Sequence, residues 1–155
     1  VCGSVTDFAK LMNEEARAMG ATHSNFVNAN GLHDDNHYTC AYDMYIIFHN
    51  ALKYSVFKNI IKATSMKAVV THADGTSEVV KYESTNLYKT KQMKAPDNIT
   101  VIGGKTGTTD KAGYCLVLLS KNKQGQQIIT TVFKADNRWE LYQMTNRLLT
   151  SFAST

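Results

Sequence analysis

Gly103-Gly104-Lys105-Thr106-Gly107-Thr108-Thr109-Asp110-Lys111-Ala112-Gly113-Tyr114 runs directly into the apolar series Cys115-Leu116-Val117-Leu118-Leu119. From Gly113 to Ser120 the residues alternate between two faces, and both faces are apolar. Tyr114, Leu116 and Leu118 fall on one, and Cys115, Val117 and Leu119 on the other. A strand buried on both sides belongs in the middle of a sheet covered by helices. Lys121 to Gly125 supplies a turn, and Gln127 to Phe133 returns antiparallel. Ile99 to Lys105 leads into the glycine-rich segment from the other side. These connected strands predict an antiparallel sheet with segregated helices, an α/β (α+β) architecture.

The helices read outward from that core. Ser4-Val5-Thr6-Asp7 has the form of a capping box, with Asp7 in place of the usual Glu or Gln. It opens a helix with Phe8, Leu11, Met12, Glu15, Ala16 and Met19 at helical spacing, and Gly20 stops it. Ala21 to Tyr38 is rich in Asn, Gly, Asp and His and reads as an irregular surface loop. Thr39 is placed to cap a second helix through Met44, Ile47 and Ala51, and a short third helix spans Val56 to Ile61. Lys67 to His72 and Glu78 to Tyr82 predict a hairpin around Ala73-Asp74-Gly75-Thr76. Asn137 is placed to cap a last helix with a stripe of Leu141, Met144, Thr145, Leu148 and Phe152.

Lys105-Thr106-Gly107 is the chemically suggestive triplet. A glycine on a strand lets an extended peptide lie against the backbone, because no side chain blocks the approach. Lys105 supplies a fixed positive charge. The hydroxyls of Thr106 and Thr108 can donate hydrogen bonds to a carboxylate. The N–H after the glycine, that of Thr108, can form half of an oxyanion hole. Three letters alone more often mark a plain strand-end turn, so the neighbours must decide.

They do so by resemblance. Gly-Lys-Thr-Gly-Thr-Thr-Asp-Lys-Ala-Gly-Tyr-Cys-Leu-Val resembles the corresponding segment of the low-molecular-mass D-alanyl-D-alanine carboxypeptidases, which are serine penicillin-binding proteins. So does the run from Phe8 to Met44, with Phe-Ala-Lys-Leu-Met-Asn-Glu-Glu-Ala-Arg, Gly-Ala-Thr-His-Ser-Asn-Phe-Val-Asn-Ala-Asn-Gly-Leu-His-Asp and His-Tyr-Thr-Cys-Ala-Tyr-Asp-Met. The likeness extends from Gly3 to the final helix, weakest in the middle. It implies a β-lactamase/transpeptidase-like fold, with residues 1–155 as the C-terminal part of a penicillin-binding catalytic domain incomplete at the N-terminus. The family's Ser-x-x-Lys nucleophile motif and Ser-x-Asn motif normally precede the segment resembling Gly3-Ser4-Val5.

The resemblance further implies two-step acyl transfer on peptidoglycan stem pentapeptides, with β-lactams acylating the same serine. In that scheme Lys105 steadies the field around the serine hydroxyl. Thr106 and Thr108 bind the terminal carboxylate over Gly107, and the Thr108 N–H polarises the carbonyl. No metal or organic cofactor is called for. Arg138 stands where the family often places a carboxylate-binding arginine, but its spacing to Leu148-Leu149 departs from the pattern. It reads either as that anchor or as a surface arginine. The family's sheet joins strands from both ends of the domain. Residues 1–155 are therefore expected to expose an unpaired strand edge and an apolar patch, and to self-associate or pair with an N-terminal half. A bacterial extracytoplasmic, cell-envelope location follows from the family.

Two local matches compete with this reading. Ser55-Val56-Phe57-Lys58 spells Ser-x-x-Lys, and Ser84-Thr85-Asn86 spells Ser-x-Asn, both ahead of Lys105. Ser55 falls at the junction of two helical patterns, where a cap is the ordinary role of serine. Ser84-Thr85-Asn86 resembles a polar stretch that the family carries after its variable hairpin. His33-Asp34-Asp35-Asn36-His37 holds two of the five histidines in a short loop, not as a helical pair of ligands, and no Cys partner is near, which favours structural or solvated roles over zinc. Tyr42, Tyr45 and Phe48 read as core and surface aromatics of one helix. Cys2, Cys40 and Cys115 show no metal spacing, and Cys2, in a helical pattern, and Cys115, in the strand pattern, read as small buried residues.

The composition, 43% hydrophobic and 19% charged, is that of a globular chain of about one domain. The net charge of +4 comes with no block of like charges, which argues against a nucleic-acid arm. No signal peptide and no apolar run of membrane-spanning length is visible. A β-lactamase-type hydrolase, or a non-catalytic fragment, are the alternatives that the sequence leaves open.

Overall fold

In the computed structural model, which describes residues 2–153, three helices come first: α1 (Val5–Ala18), α2 (Ala41–Ala51) and α3 (Ser55–Lys62). A hairpin of β1 (Ser65–Thr71) and β2 (Ser77–Glu83) follows. Then come β3 (Thr100–Thr109), β4 (Gly113–Lys121), β5 (Gln127–Ala135) and α4 (Arg138–Thr150). β4 lies between β3 and β5, and both pairings are antiparallel.

The two apolar faces of β4 separate two cores. Leu116 and Leu118 pack with Val132, Leu141, Tyr142 and Leu149, so that α4 covers one face of the sheet. Val117 and Leu119 pack with Phe48 and Ile61, placing α2 and α3 on the other. Each fully buried leucine contributes about 1.5–3 kcal/mol. The layers therefore hold the sheet between them, and β3 is left as an edge strand. Among the described residues neither β3 nor β5 has a further strand on its outer side.

Local signals fix most boundaries. Ser4 caps α1 by accepting the Asp7 N–H at 3.0 Å. The Asp7 carboxylate turns back to accept the Ser4 hydroxyl at 2.7 Å, a reciprocal pair within the cap. At its other end the Ala21 N–H reaches the Ala16 carbonyl and the Gly20 N–H that of Arg17, with Gly20 at φ 95°. This is the left-handed stop that glycine supplies. Asn137 caps α4 through the Glu140 N–H.

Several expectations are corrected. Cys40, not Thr39, caps α2, its Sγ accepting the Asp43 N–H. The Thr39 hydroxyl instead bonds that of Ser24 across the loop. Tyr54 precedes α3 without a side-chain cap, so Ser55 is the first helical residue rather than a cap. The buried residues of α1 are Ala9 and Ala16, while Leu11 and Met19 are exposed. In α4 the buried set is Leu141, Tyr142, Thr145 and Leu149, with Leu148 and Phe152 facing solvent. All three cysteines are partly exposed rather than buried, and Cys2 precedes the first helix. The proposed domain of residues 1–155 includes Val1, Ser154 and Thr155, which lie outside the described residues.

The exposed apolar side chains are not on the free edge of β5. Several lie on α3 and the hairpin, at Val56, Ile60, Met66, Val69, Val79 and Tyr82, and others on α1, α2, α4 and the long loop. Among the described residues no helix is long and apolar enough to cross a membrane.

Candidate active site

Three glycines in β3 serve different ends. A Cβ on Gly103 would stand 2.0 Å from the Ile61 carbonyl oxygen, and one on Gly104 would stand 2.4 Å from that of Val117. These two positions are glycine because α3 and β4 press against the strand. Gly107 is different. A Cβ there would meet only Cys115 Cβ, at 4.0 Å, which is ordinary contact. The protein's own packing does not require a glycine there, so what the missing side chain leaves open is the space above the strand.

That space is a cavity of about 720 Å³. Lys105 to Thr109, Tyr114 and Cys115 form its strand wall. Met12 and Met44 reach it from α1 and α2, Phe26 and His37 from the long loop, and Arg138, Leu141 and Tyr142 from α4. A register shift between Val101 and Gly103 sets the phase of β3. Past it, Lys105 pairs with Val117 and lies on the α2–α3 face, whereas Thr106 pairs with Leu116 on the α4 face. Cation and hydroxyl therefore straddle one edge, and the cavity reaches both faces.

The electrostatics are one-sided. Lys105 and Arg138 line the cavity, and no aspartate or glutamate does. Among the described residues neither cation forms an ion pair; Lys105 Nζ bonds the Thr106 carbonyl. Tyr142, fully buried beside Arg138, has its phenol pushed up by burial, opposed by the hydrogen bond from the Leu87 N–H and by the Arg138 charge. It stays a neutral phenol and does not cancel that charge. A pocket with two unpaired cations, several hydroxyls and no carboxylate suits an anionic ligand.

The predicted residues come together. Lys105, Thr106, Gly107, Thr108 and Arg138 all line this cavity. Arg138 is the first residue of α4, and the cap at Asn137 fixes where that turn begins. The local Ser-x-x-Lys match does not join them. Ser55 and Lys58 lie outside the lining, and Ser55 is at the end of α3 away from Ile61, roughly 9 Å along its axis. Ser84 and Asn86 shape a turn: Ser84 Oγ accepts the Asn86 N–H and Asn86 Oδ1 accepts the Tyr88 N–H. Thr85, part of a polar stretch in the sequence, lines the cavity, and its hydroxyl meets that of Thr106. Met12, Phe26 and Met44 also line it, although apolar residues in helices and loops carry no local mark of a cavity.

The histidines have ordinary partners. His37 Nδ1 accepts the Val27 N–H, and its ring meets Phe26 edge-on. His33 faces Asp35 at 3.2 Å. Asp43 fixes the loop before α2. Burial opposes its charge, but hydrogen bonds from the Ser24 hydroxyl (2.7 Å) and the His23 N–H (2.6 Å) hold its carboxyl below the usual range.

An antiparallel sheet with an edge strand of this kind, covered by helices on both faces, is the fold of the penicillin-binding transpeptidases. The DD-transpeptidase of a Streptomyces species superposes with a TM-score of 0.79 at 24% identity, over 95% of this chain and 54% of that one. The family model for D-alanyl-D-alanine carboxypeptidase matches residues 1–137, and the chain belongs to that family. D-alanyl-D-alanine carboxypeptidase DacF of Bacillus subtilis is 31% identical over 149 residues, 96% of this chain and 36% of that protein. DacA of Haemophilus influenzae is 28% identical over 139 residues, 85% of this chain and 30% of that protein. The chain thus spans about a third of the length of these curated relatives.

Proposed function

We propose that residues 1–155 are the C-terminal part of the catalytic domain of a serine-type D-Ala-D-Ala carboxypeptidase and carry its substrate-anchoring strand. The observation that supports this most is the cavity over Gly107, with two unpaired cations, hydroxyls and no acidic residue. The ligand is a peptidoglycan stem peptide ending in D-Ala-D-Ala. Its backbone runs along the edge of β3, and its terminal carboxylate meets Thr106, Thr108 and Arg138. The site is extracytoplasmic, in the bacterial cell envelope.

The cavity lining holds no serine. The attacking serine therefore belongs to a Ser-x-x-Lys segment outside these residues, consistent with the greater length of the relatives. Its oxygen adds to the carbonyl of the penultimate D-alanine, and the Thr108 N–H takes up the developing negative charge. The C–N bond breaks, the departing amine takes the proton that the serine hydroxyl gives up and leaves as D-alanine, and water hydrolyses the ester to restore the serine. Lys105 keeps a positive potential over the reacting groups. β-Lactams enter by the same path, because their ring amide carries an equivalent carboxylate nearby.

The test is release of D-alanine from an acyl-D-Ala-D-Ala peptide by the complete protein. Turnover that falls in Arg138→Ala through a raised KM supports the reading. A complete protein that binds the peptide without releasing D-alanine removes it.

A further inference from the structure

We propose that Thr85 is a positioning residue for substrate binding: its hydroxyl donates to Thr106 Oγ1, so that the Thr106 proton is left for the substrate carboxylate. This inference rests on the carboxypeptidase reading and adds a residue that the Lys-Thr-Gly motif does not contain.

The proton inventory carries it. Thr85 Oγ1 and Thr106 Oγ1 are 2.5 Å apart, and either could donate. A hydroxyl has one proton and two lone pairs. If Thr106 gives its proton to Thr85, it meets an incoming anion with lone pairs, which repel. If Thr85 donates, Thr106 accepts on one side and donates on the other. An anion in the cavity selects the second arrangement, and the chained hydrogen bonds polarise one another.

Thr85 is also held where this requires. The Ser84 N–H is tied to the Thr64 carbonyl. Asn86 is 1% exposed, and the Leu87 N–H is bound by the buried Tyr142 hydroxyl at 2.8 Å. Thr85 is the exposed residue of an otherwise pinned segment, and it lines the cavity. No internal hydrogen bond beyond that to Thr106 occupies its hydroxyl among the described residues. A pinned backbone with one exposed hydroxyl on a ligand-facing threonine orients that threonine at little entropic cost.

The experiment uses the complete protein and two substrates, an acyl-D-Ala-D-Ala peptide and a matched ester without the terminal carboxylate. Thr85→Val should lower kcat/KM on the peptide about 3- to 10-fold, mainly through KM, since one neutral hydrogen bond is lost. The ester should change less than about twofold. Thr85→Ser should restore peptide turnover, and adding Thr85→Val to Thr106→Val should cost nothing further. Equal losses on both substrates, no loss on the peptide, failure of the serine variant or full additivity would each overturn the role. Wild-type protein that turns over neither substrate would remove the carboxypeptidase reading itself, and this inference with it. Thermal unfolding of both Thr85 variants identifies any loss that comes from folding.

Discussion

Gly107→Ala separates a glycine kept for the fold from one kept for a ligand. The new Cβ would meet only Cys115 Cβ at 4.0 Å, and Gly107 is not among the positive-φ residues of the chain. Alanine in a strand interior is favoured over glycine by about 0.5–1 kcal/mol, because less backbone entropy is lost on folding. For a domain of this size that is a rise in Tm of roughly 1–4 °C. A peptide lying on the strand would meet the same methyl. Overpacking by one methyl costs about 1–3 kcal/mol, or roughly 5- to 150-fold in acylation of the complete protein by a labelled penicillin. Circular dichroism melting and the second-order labelling rate measure the two effects on one sample. Wild-type labelling, or a Tm several degrees lower, would refute the assignment of Gly107 to the ligand. Gly103→Ala is the contrast: its Cβ would sit 2.0 Å from the Ile61 backbone oxygen, so it should lose more than about 3 kcal/mol of stability.

Lys105→Ala in the complete protein should slow acylation about 100- to 1,000-fold. Its melting temperature should hardly move, since Lys105 is exposed and makes no ion pair among the described residues. Thr108→Val keeps the backbone N–H and should hurt a carboxylate-bearing peptide more than an ester, which paired kinetics on the two substrates would show. Asp43→Asn should destabilise the chain by about 2–3 kcal/mol near neutral pH, through weakened charge-assisted hydrogen bonds read by chemical denaturation. Because the native carboxyl is held below its usual 3.8, that contribution is complete above this value and is lost as pH falls through the native pKa. The stability gap between wild type and Asp43→Asn should therefore close only below about pH 4. The 155-residue chain by itself should self-associate or bind an apolar dye, through the unpaired sheet edges and the Val56–Ile60–Met66–Tyr82 surface. A monodisperse, cooperative monomer that binds no dye would contradict the proposal that it is part of a larger domain.

The sheet was legible because β4 is apolar at every position from Tyr114 to Leu119, a pattern that only a central, doubly covered strand sustains. The caps at Ser4 and Asn137 were legible because a single side chain makes each of them. Helix faces were less so. Ala9 and Ala16 carry little hydrophobic signal, yet they are the buried residues of α1, and Tyr142 falls outside the apolar stripe of α4 although its ring lies in the core and its hydroxyl accepts the Leu87 N–H. The cap of α2 was misplaced by one residue because a cysteine sulfur is a weaker acceptor than a threonine oxygen and is seldom counted as a cap. At the site, the motif strand announced Lys105, Thr106, Gly107 and Thr108. What the sequence did not announce were contacts between distant segments. Thr85 meets Thr106 across 21 residues, and Gly103 is shaped by a carbonyl in α3. Such contacts arise from topology rather than from any local pattern.

Intact-mass analysis of the complete protein after incubation with a labelled penicillin, followed by peptide mapping, tests the central claim most directly. One adduct per molecule, on a serine outside Val1–Thr155 and strongly slowed by Lys105→Ala, is the expected result. An adduct on Ser55, or wild-type labelling of Lys105→Ala, would contradict it.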